Sequence, residues 1–307
     1  MEKGPAEKKN TGAYLQIIFA MIIFGTIGVF RNYTSLSSSV LALFRALIGA
    51  VFLVLFVLIF RIPFSLRSIG QNRWKLLISG TLLGLNWVLL FEAFRFTTVA
   101  TATLCYYLAP VFVILVSPLI LKESLTIKKI LCAVVSLIGM VFVSGVLEGE
   151  RGIQGYKGIL FGISAAVCYA GIVLTNKKLK DIGSYEITVS QLVVATVVLA
   201  AYSLITMEIR ELGKATGLDF GLAVLMGVVH TGIAYMLYFA SIQKLSGQTC
   251  ALFSYIDPVV AIALSAILYR DLTLWIGIGA LLILGATLFS ELHFENAEKR
   301  EKTTEGD

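Results

Sequence analysis

The sequence predicts an all-α membrane protein of ten transmembrane helices, arranged as two inverted five-helix repeats. Three observations predict it: an apolar composition with segregated charges, ten long runs nearly free of Lys, Arg, Asp and Glu, and a self-similarity at an offset of 147 or 148 residues.

Of the 307 residues, 58% are hydrophobic and 14% charged. A soluble domain carries about 45–50% apolar and roughly 25% charged residues. A run of about 20 apolar residues crosses the hydrocarbon layer as a helix. Such runs cover residues 13–30, 38–60, 74–95, 98–121, 127–147, 156–176, 184–206, 219–242, 247–269 and 273–291. A spanning β-barrel would instead need ~10-residue segments of alternating hydrophobicity. No stretch is left over for a soluble domain. The first run follows Lys8 and Lys9 and so resembles the apolar stretch of a signal peptide. It lacks a small-residue cleavage site and nine more runs follow, so it is read as an uncleaved first helix.

The net charge of +6 is explained by topology rather than by a nucleic-acid partner. Cytoplasmic loops are enriched in Lys and Arg. With the N-terminus inside, seventeen basic residues fall in cytoplasmic segments, seven in outer segments, and Arg45 within a helix. Both termini are therefore placed in the cytoplasm, with the chain in the plasma membrane, and residues 1–10 and 295–307 read as solvated ends. Cys105, Cys132, Cys168 and Cys250 all lie in apolar runs without Cys-x-x-Cys spacing, and read as small core residues rather than disulfide or metal ligands.

The repeat is visible in short matches. Leu90-Phe91-Glu92-Ala93 parallels Leu237-Tyr238-Phe239-Ala240, Pro110-Val111 parallels Pro258-Val259, and the stretch from Leu121 to Thr126 parallels that from Tyr269 to Leu274. One small gap reconciles the offsets. Residues 1–150 and 151–307 then hold five helices each. An odd number of spans per half inserts the second half upside down. Secondary transporters are often built this way, with substrate near the midplane where the halves meet. Gly80-xxx-Gly84 and Gly158-xxx-Gly162 supply small-residue faces for close helix contact.

Several of these segments resemble the drug/metabolite transporter superfamily, in its EamA-like branch. They are Phe24-Gly25-Thr26, Phe44-Arg45, Ala93-Phe94-Arg95-Phe96-Thr97-Thr98-Val99-Ala100, Tyr107-Leu108-Ala109-Pro110, Lys122-Glu123, Tyr255-Ile256-Asp257-Pro258 and Arg270-Asp271. The resemblance runs from about Tyr14 to Ser290. It implies a ten-helix inverted-repeat fold with a central cavity lined mainly by helices 1, 3, 4, 6, 8 and 9. It also implies movement of amino acids or other small metabolites. Ser190-Gln191 stands where Phe44-Arg45 stands in the first half, so Arg45 is not duplicated.

Charges within the bilayer cost at least about 2.5–3.5 kcal/mol each at a helix centre and need a reason. Asp257 and His230 are the leading candidates for substrate or proton contact, because both are deep and both break the repeat. A histidine titrates near neutral pH, although a lone one also serves as a hydrogen-bonded packing residue. Asp257 precedes Pro258, which frees the carbonyl of Ser254, as Pro110 frees that of Tyr106. Its structural reading is pairing with a neighbouring helix or capping of the break. Glu92 reads either as a local ion pair with Arg95 at i+3 or as a cation-binding carboxylate. Arg45 is read first as an interfacial anchor outside the cavity helices, with a gating or substrate-carboxylate contact as the alternative.

Trp87, Tyr106, Tyr107, Tyr169, Tyr235, Tyr238 and Tyr255, with Asn86, fall on the expected cavity helices, where an aromatic lining suits an amphipathic or cationic ligand. Glu123 and Asp271 precede new helices and read as caps. Asn32-Tyr33-Thr34 fits a glycosylation acceptor pattern close to the membrane.

The reading that results is a secondary transporter, an exporter of amino acids or related metabolites working by alternating access, with proton coupling through Glu92, His230 or Asp257. No Gly-rich ATP-binding loop is present, and no cofactor or metal is called for. The deep acids favour a zwitterionic or cationic substrate. An integral membrane enzyme acting on lipid-linked substrates would need clustered acids or histidines, yet His230 and His293 lie far apart in sequence. A channel is the third reading, and the internal two-fold repeat argues mildly against it. Oligomeric state stays open.

Overall fold

The computed structural model describes residues 5–31, 33–97, 99–143, 156–269 and 274–291. These residues form helices and the turns between them, with no strand among them. Asn32, Arg270, Asp271, His293 and residues 144–147 of the fifth expected span lie outside the described residues.

The first span is a broken rod. Helix α1 (Pro5–Gly25) is followed by the short α2 (Ile27–Arg31). At the break the Thr26 hydroxyl donates to the Ile23 carbonyl at 2.7 Å, and a side chain that takes a ladder carbonyl bends a helix. Helix α3 (Ser38–Ile59) starts at Ser37, whose hydroxyl accepts from the Val40 N–H.

Helix α4 (Leu66–Phe96) is 31 residues long and begins eight residues before the expected start. At about 1.5 Å per residue it exceeds a hydrocarbon layer of about 30 Å. The additional turns carry Arg67 and Arg73, both exposed, and are launched by the Ser65 cap. Hydropathy reports only the apolar part of such a rod.

Helices α5 (Val99–Tyr106) and α6 (Ala109–Leu121) form a second broken rod, split just before Pro110. Then follow α7 (Ile127–Val143), α8 (Tyr156–Asn176) and α9 (Ser184–Ile205), and a short 3-10 helix at Glu208–Lys214. The next rod joins α10 (Gly217–Leu225), a π-helical stretch (Met226–Ile233) and α11 (Ala234–Lys244). Thr216 and Asp219 form a capping box at its start. Helices α12 (Gly247–Phe253) and α13 (Ile256–Tyr269) split before Pro258 as α5 and α6 split before Pro110, and α14 (Leu274–Glu291) ends the described chain.

Among the described residues, seven helical rods are long and apolar enough to cross a membrane: 11–31, 38–59, 66–96, 101–121, 156–176, 184–205 and 217–244. The chain is a multi-pass membrane protein. Its outside and inside are arranged accordingly. Large apolar side chains such as Phe19, Leu58, Leu119, Leu160, Val197 and Leu281 are exposed. Polar ones such as Asn86, Gln191, His230 and Gln248 are buried. In lipid, apolar surface needs no burial and polar groups must find partners within the protein.

The most extensive helix contacts join elements before residue 144 to elements after residue 156: α4 with α8 and α9, α3 with α9 and the π stretch, α1 with α11 and α13, α6 with α8 and α12, and α7 with α14. Small residues make these contacts close. A Cβ on Gly80 or Gly84 would come within 2.7 Å of Val194 or Val198 on α9. One on Gly158 or Gly162 would meet Thr97 or Cys105 at 2.6 and 2.8 Å. Both small-xxx-small pairs are thus contact faces.

Polar contacts gather at the two ends of the bundle. At one end, Lys177 donates to the Leu245 carbonyl, Asn72 to that of Lys180, and Lys75 to that of Lys178. The Glu123 carboxylate accepts from the N–H groups of Gly247 and Gln248 at 2.7 and 3.2 Å. Glu123 was expected to cap the helix that follows it. It caps α12 instead, because the positive end of that helix is brought beside the α6–α7 turn. Glu186 does the same for α4, accepting from the Ser65 N–H at 2.9 Å. At the other end, Asp219 accepts from Ser35 N–H and from the Thr34 and Ser35 hydroxyls.

Candidate substrate site

Buried aromatic residues occupy the region where the broken rods cross. Trp87 on α4 donates its indole N–H to the Tyr235 hydroxyl at 3.1 Å, and the two rings lie 5.8 Å apart. Tyr235 is also in edge contact with Phe24 of α1 at 4.9 Å. Tyr106 contacts both Tyr107 and Tyr169, at 5.7 and 5.9 Å.

The Ser254 hydroxyl donates to the Cys250 carbonyl at 2.9 Å. It must then accept from Tyr169, 2.9 Å away, so Tyr169 in turn accepts from Tyr238. One-directional donation therefore runs from α11 through α8 to the break in α12–α13. Tyr255 donates to the Tyr107 carbonyl at 3.0 Å and joins the two Pro-associated breaks. The Asn86 amide donates to the Ala165 carbonyl at 2.7 Å and ties α4 to α8.

His230 is buried on the π-helical stretch, where its Nε2 lies 2.8 Å from the Thr26 hydroxyl. Thr26 spends its one proton on the Ile23 carbonyl. Nε2 must therefore carry a proton and donate. Nδ1, buried and without a hydrogen-bond partner, is left as the acceptor of the ring. Phe30 packs edge-on at 5.1 Å. The π stretch has a sequence trace. The repeat offset is 146 between Phe44 and Ser190 but 147 between Leu90 and Leu237. A π turn accommodates one inserted residue in a helix.

Asp257 is half-buried in the first turn of α13, and its N–H donates to the Ser254 carbonyl at 3.3 Å. That carbonyl was expected to be left free by Pro258, and the tighter turn uses it. The carboxylate makes no hydrogen bond or ion pair among the described residues, so Asp257 neither pairs with a neighbouring helix nor caps the break. Gly25 allows α1 to approach here: a Cβ on it would lie 2.7 Å from the Asp257 carbonyl.

Glu92 sits apart from this group. Its carboxylate pairs with Arg95 at 2.9 Å and accepts from the Tyr202 hydroxyl. Its expected ion pair forms, and Tyr202 adds a partner from α9. Arg45 is placed differently from the expected interfacial anchor. Its guanidinium lies over the Trp87 ring, 5.1 Å from the centroid, and its Nε donates to Thr231 at 3.2 Å. The approach of α3 to the π stretch, with Gly49 close to Gly227 and Thr231, carries it there. Proximity to the membrane surface, read from sequence alone, could not reveal that contact. Thr26, Thr231 and Tyr202 were missed as polar partners because a hydroxyl on an apolar helix gives no sequence signal of its partner.

The EamA-like transporter family model matches this sequence twice, over residues 11–145 and 156–291. The chain belongs to the EamA-like transporter family. EamA-like relatives carry transporter names. One, the uncharacterized transporter YxxF of Bacillus subtilis (strain 168), is 29% identical over 87% of this chain and 86% of its own. An uncharacterized transporter of Archaeoglobus fulgidus is 27% identical over 89% of this chain and 94% of its own. Protein PecM of Dickeya dadantii (strain 3937) is 26% identical over 73% and 72%. A solved crystal structure superposes with a TM-score of 0.79 at 18% identity, covering 92% of this chain and 97% of that one, so the fold is shared.

Proposed function

We propose that this EamA-like protein is a secondary transporter that exports amino acids or related small metabolites across the plasma membrane by alternating access. The observation that carries the reading is the buried aromatic group spanning the two broken rods, with the unpaired carboxylate of Asp257 at its edge. Broken helices are where transporters form midplane sites. The double match of the family model supports two halves, residues 1–150 and 151–307, with five spans each. In this reading α1–α2, α3, α4, α5–α6 and α7 are the first five. The next five are α8, α9, α10–α11, α12–α13 and α14. Ten spans would put both termini on the same side of the membrane, and the distribution of Lys and Arg favours the cytoplasm for them.

Asp257 is the proton-coupling site of this reading. Its carboxylate meets no hydrogen-bond or ion-pair partner among the described residues and so is free to exchange a proton. Release of that proton to one side and capture from the other then drives the cycle. Glu92, held by Arg95 and Tyr202, is less free to serve. His230 keeps one open nitrogen and is the second proton candidate. The substrate is zwitterionic or cationic, and the aromatic walls supply its apolar contacts.

The test is uptake into proteoliposomes of the purified chain, with radiolabelled amino acids and organic cations, with and without a pH gradient. Saturable uptake that the gradient accelerates, and that Asp257→Asn uncouples, is the expected result. A saturable flux indifferent to the gradient would remove the proton from the mechanism.

A further inference from the structure

Two groups of opposite charge approach the aromatic group and neither has a counter-charge. Among the described residues the ion pairs are those of Arg95 with Glu92 and Glu208. Arg45 donates from Nε to Thr231 and presents a face to Trp87, and neither Nη atom meets an acceptor among the described residues. Asp257 is equally unpaired. An unpaired charge within a membrane-spanning helix is costly even when half-buried. Two such charges, of opposite sign and in one region, would be expected to pair. They do not pair with each other among the described residues.

Tyr235 accepts from the indole N–H of Trp87, over whose ring Arg45 stacks, and packs on Phe24, whose neighbour Gly25 abuts the Asp257 backbone carbonyl. Its phenol lies within electrostatic reach of both Arg45 and Asp257. His230 lies within reach of Arg45 and adds an open ring nitrogen. The region is therefore dipolar: a fork of donors and a carboxylate, each beside the same aromatic faces.

Resting on the transporter reading above, we infer that Arg45 and Asp257 form the two poles of one substrate site. Arg45 takes the carboxylate of a zwitterionic amino acid, Asp257 takes its ammonium group, and Trp87 and Tyr235 take its apolar side chain. Guanidinium recognises a carboxylate through two parallel N–H···O bonds, and the Nη donors that would make them are the ones without acceptors. This assigns a binding role to Arg45. It also narrows the substrate from zwitterion or cation to zwitterion, since a bare cation would leave Arg45 uncompensated. The second half carries Gln191 at the equivalent position, so the carboxylate end is built once and the substrate has one orientation.

The test is competition, using the full-length chain in proteoliposomes and radiolabelled L-phenylalanine and L-leucine as probes. The competitors are L-phenylalaninamide, which lacks the carboxylate, and 3-phenylpropionate, which lacks the ammonium group. Wild type should prefer the zwitterion over each by about tenfold or more, the scale of a lost charge-assisted contact. Arg45→Gln should lose the preference over the amide and keep that over the deaminated acid. Asp257→Asn should do the reverse. Gly70→Ala, at an exposed position with nothing within 4 Å of its Cβ position, serves as the folding control that keeps both poles. Retention of both preferences in folded Arg45→Gln protein overturns the assignment. Transport of organic cations, with zwitterions neither carried nor competing, overturns the dipolar site while the transporter reading stands. No saturable transport of any compound by folded protein overturns both.

Discussion

The hydroxyl of Tyr255 donates to the carbonyl of Tyr107 at 3.0 Å, and the two residues are 148 positions apart, the offset that relates Pro258 to Pro110. In the proposed two-repeat arrangement, residues at equivalent positions that touch would lie at the axis relating the two halves. Their rings are 6.2 Å apart. The contact is asymmetric: the Tyr255 hydroxyl donates to the Tyr107 carbonyl, and no reciprocal bond from Tyr107 to the Tyr255 carbonyl forms among the described residues.

Tyr255→Phe removes that hydrogen bond and leaves the ring. The loss should be about 0.5–1.5 kcal/mol, seen as a few degrees in thermal unfolding in detergent. The larger effect should be on cycling, with slower exchange of substrate at unchanged substrate affinity. Unchanged exchange would separate this contact from the cycle.

Gly84 has a packing reason to lack a side chain. A Cβ there would lie 2.7 Å from Val198 Cβ. Gly84→Leu should cost upward of about 1–3 kcal/mol, as overpacking does, and should abolish a monodisperse peak on size exclusion. Gly70, with nothing within 4 Å of its Cβ position, is the control. Gly70→Ala should be neutral or stabilising, because alanine is the better helix former by about 1 kcal/mol.

Glu123 holds the start of α12 from a different span. Glu123→Ala should cost about 0.5–2 kcal/mol, the range for a lost helix cap. Glu123→Gln, which retains an acceptor, should cost less. A cysteine placed at Gln248 should become more reactive to a membrane-impermeant thiol reagent in the alanine variant, since this end loses its clasp. Equal reactivity in both would mean that Glu123 does not hold that end shut.

Asp257→Asn should remove the response of uptake to a proton gradient while leaving gradient-independent exchange measurable. The sign follows from charge. A carboxylate protonated on the acidic side and released on the other carries one proton per cycle, whereas an amide carries none. Gradient response in the Asn variant equal to wild type would move the proton site to His230 or Glu92. Glu92→Gln should leave the response intact, as Arg95 and Tyr202 already occupy that carboxylate.

Much of this was legible in the sequence, and for identifiable reasons. Proline cannot donate to a helix ladder, so the breaks before Pro110 and Pro258 were readable. Glycines four apart foretold the Gly80–Gly84 and Gly158–Gly162 faces, and i+3 spacing foretold the Glu92–Arg95 pair. Contacts between distant helices were not readable. Arg45 meets Trp87 through the approach of α3 to the π stretch, and Glu123 meets Gly247 through the neighbouring placement of α6 and α12. The repeat offset steps from 146 to 147 between Ser190 and Leu237, but only the structure places a π turn there and sets His230 against Thr26.

The central claim is that this EamA-like chain is a carrier whose site faces one side at a time. Counterflow tests it most directly: proteoliposomes of purified wild-type chain are loaded with unlabelled amino acid and diluted into labelled amino acid at low concentration. A carrier should accumulate label transiently above equilibrium, with a rate that saturates and that internal substrate accelerates. Label that only equilibrates, at a rate linear in concentration and indifferent to internal substrate, would contradict alternating access and favour a channel.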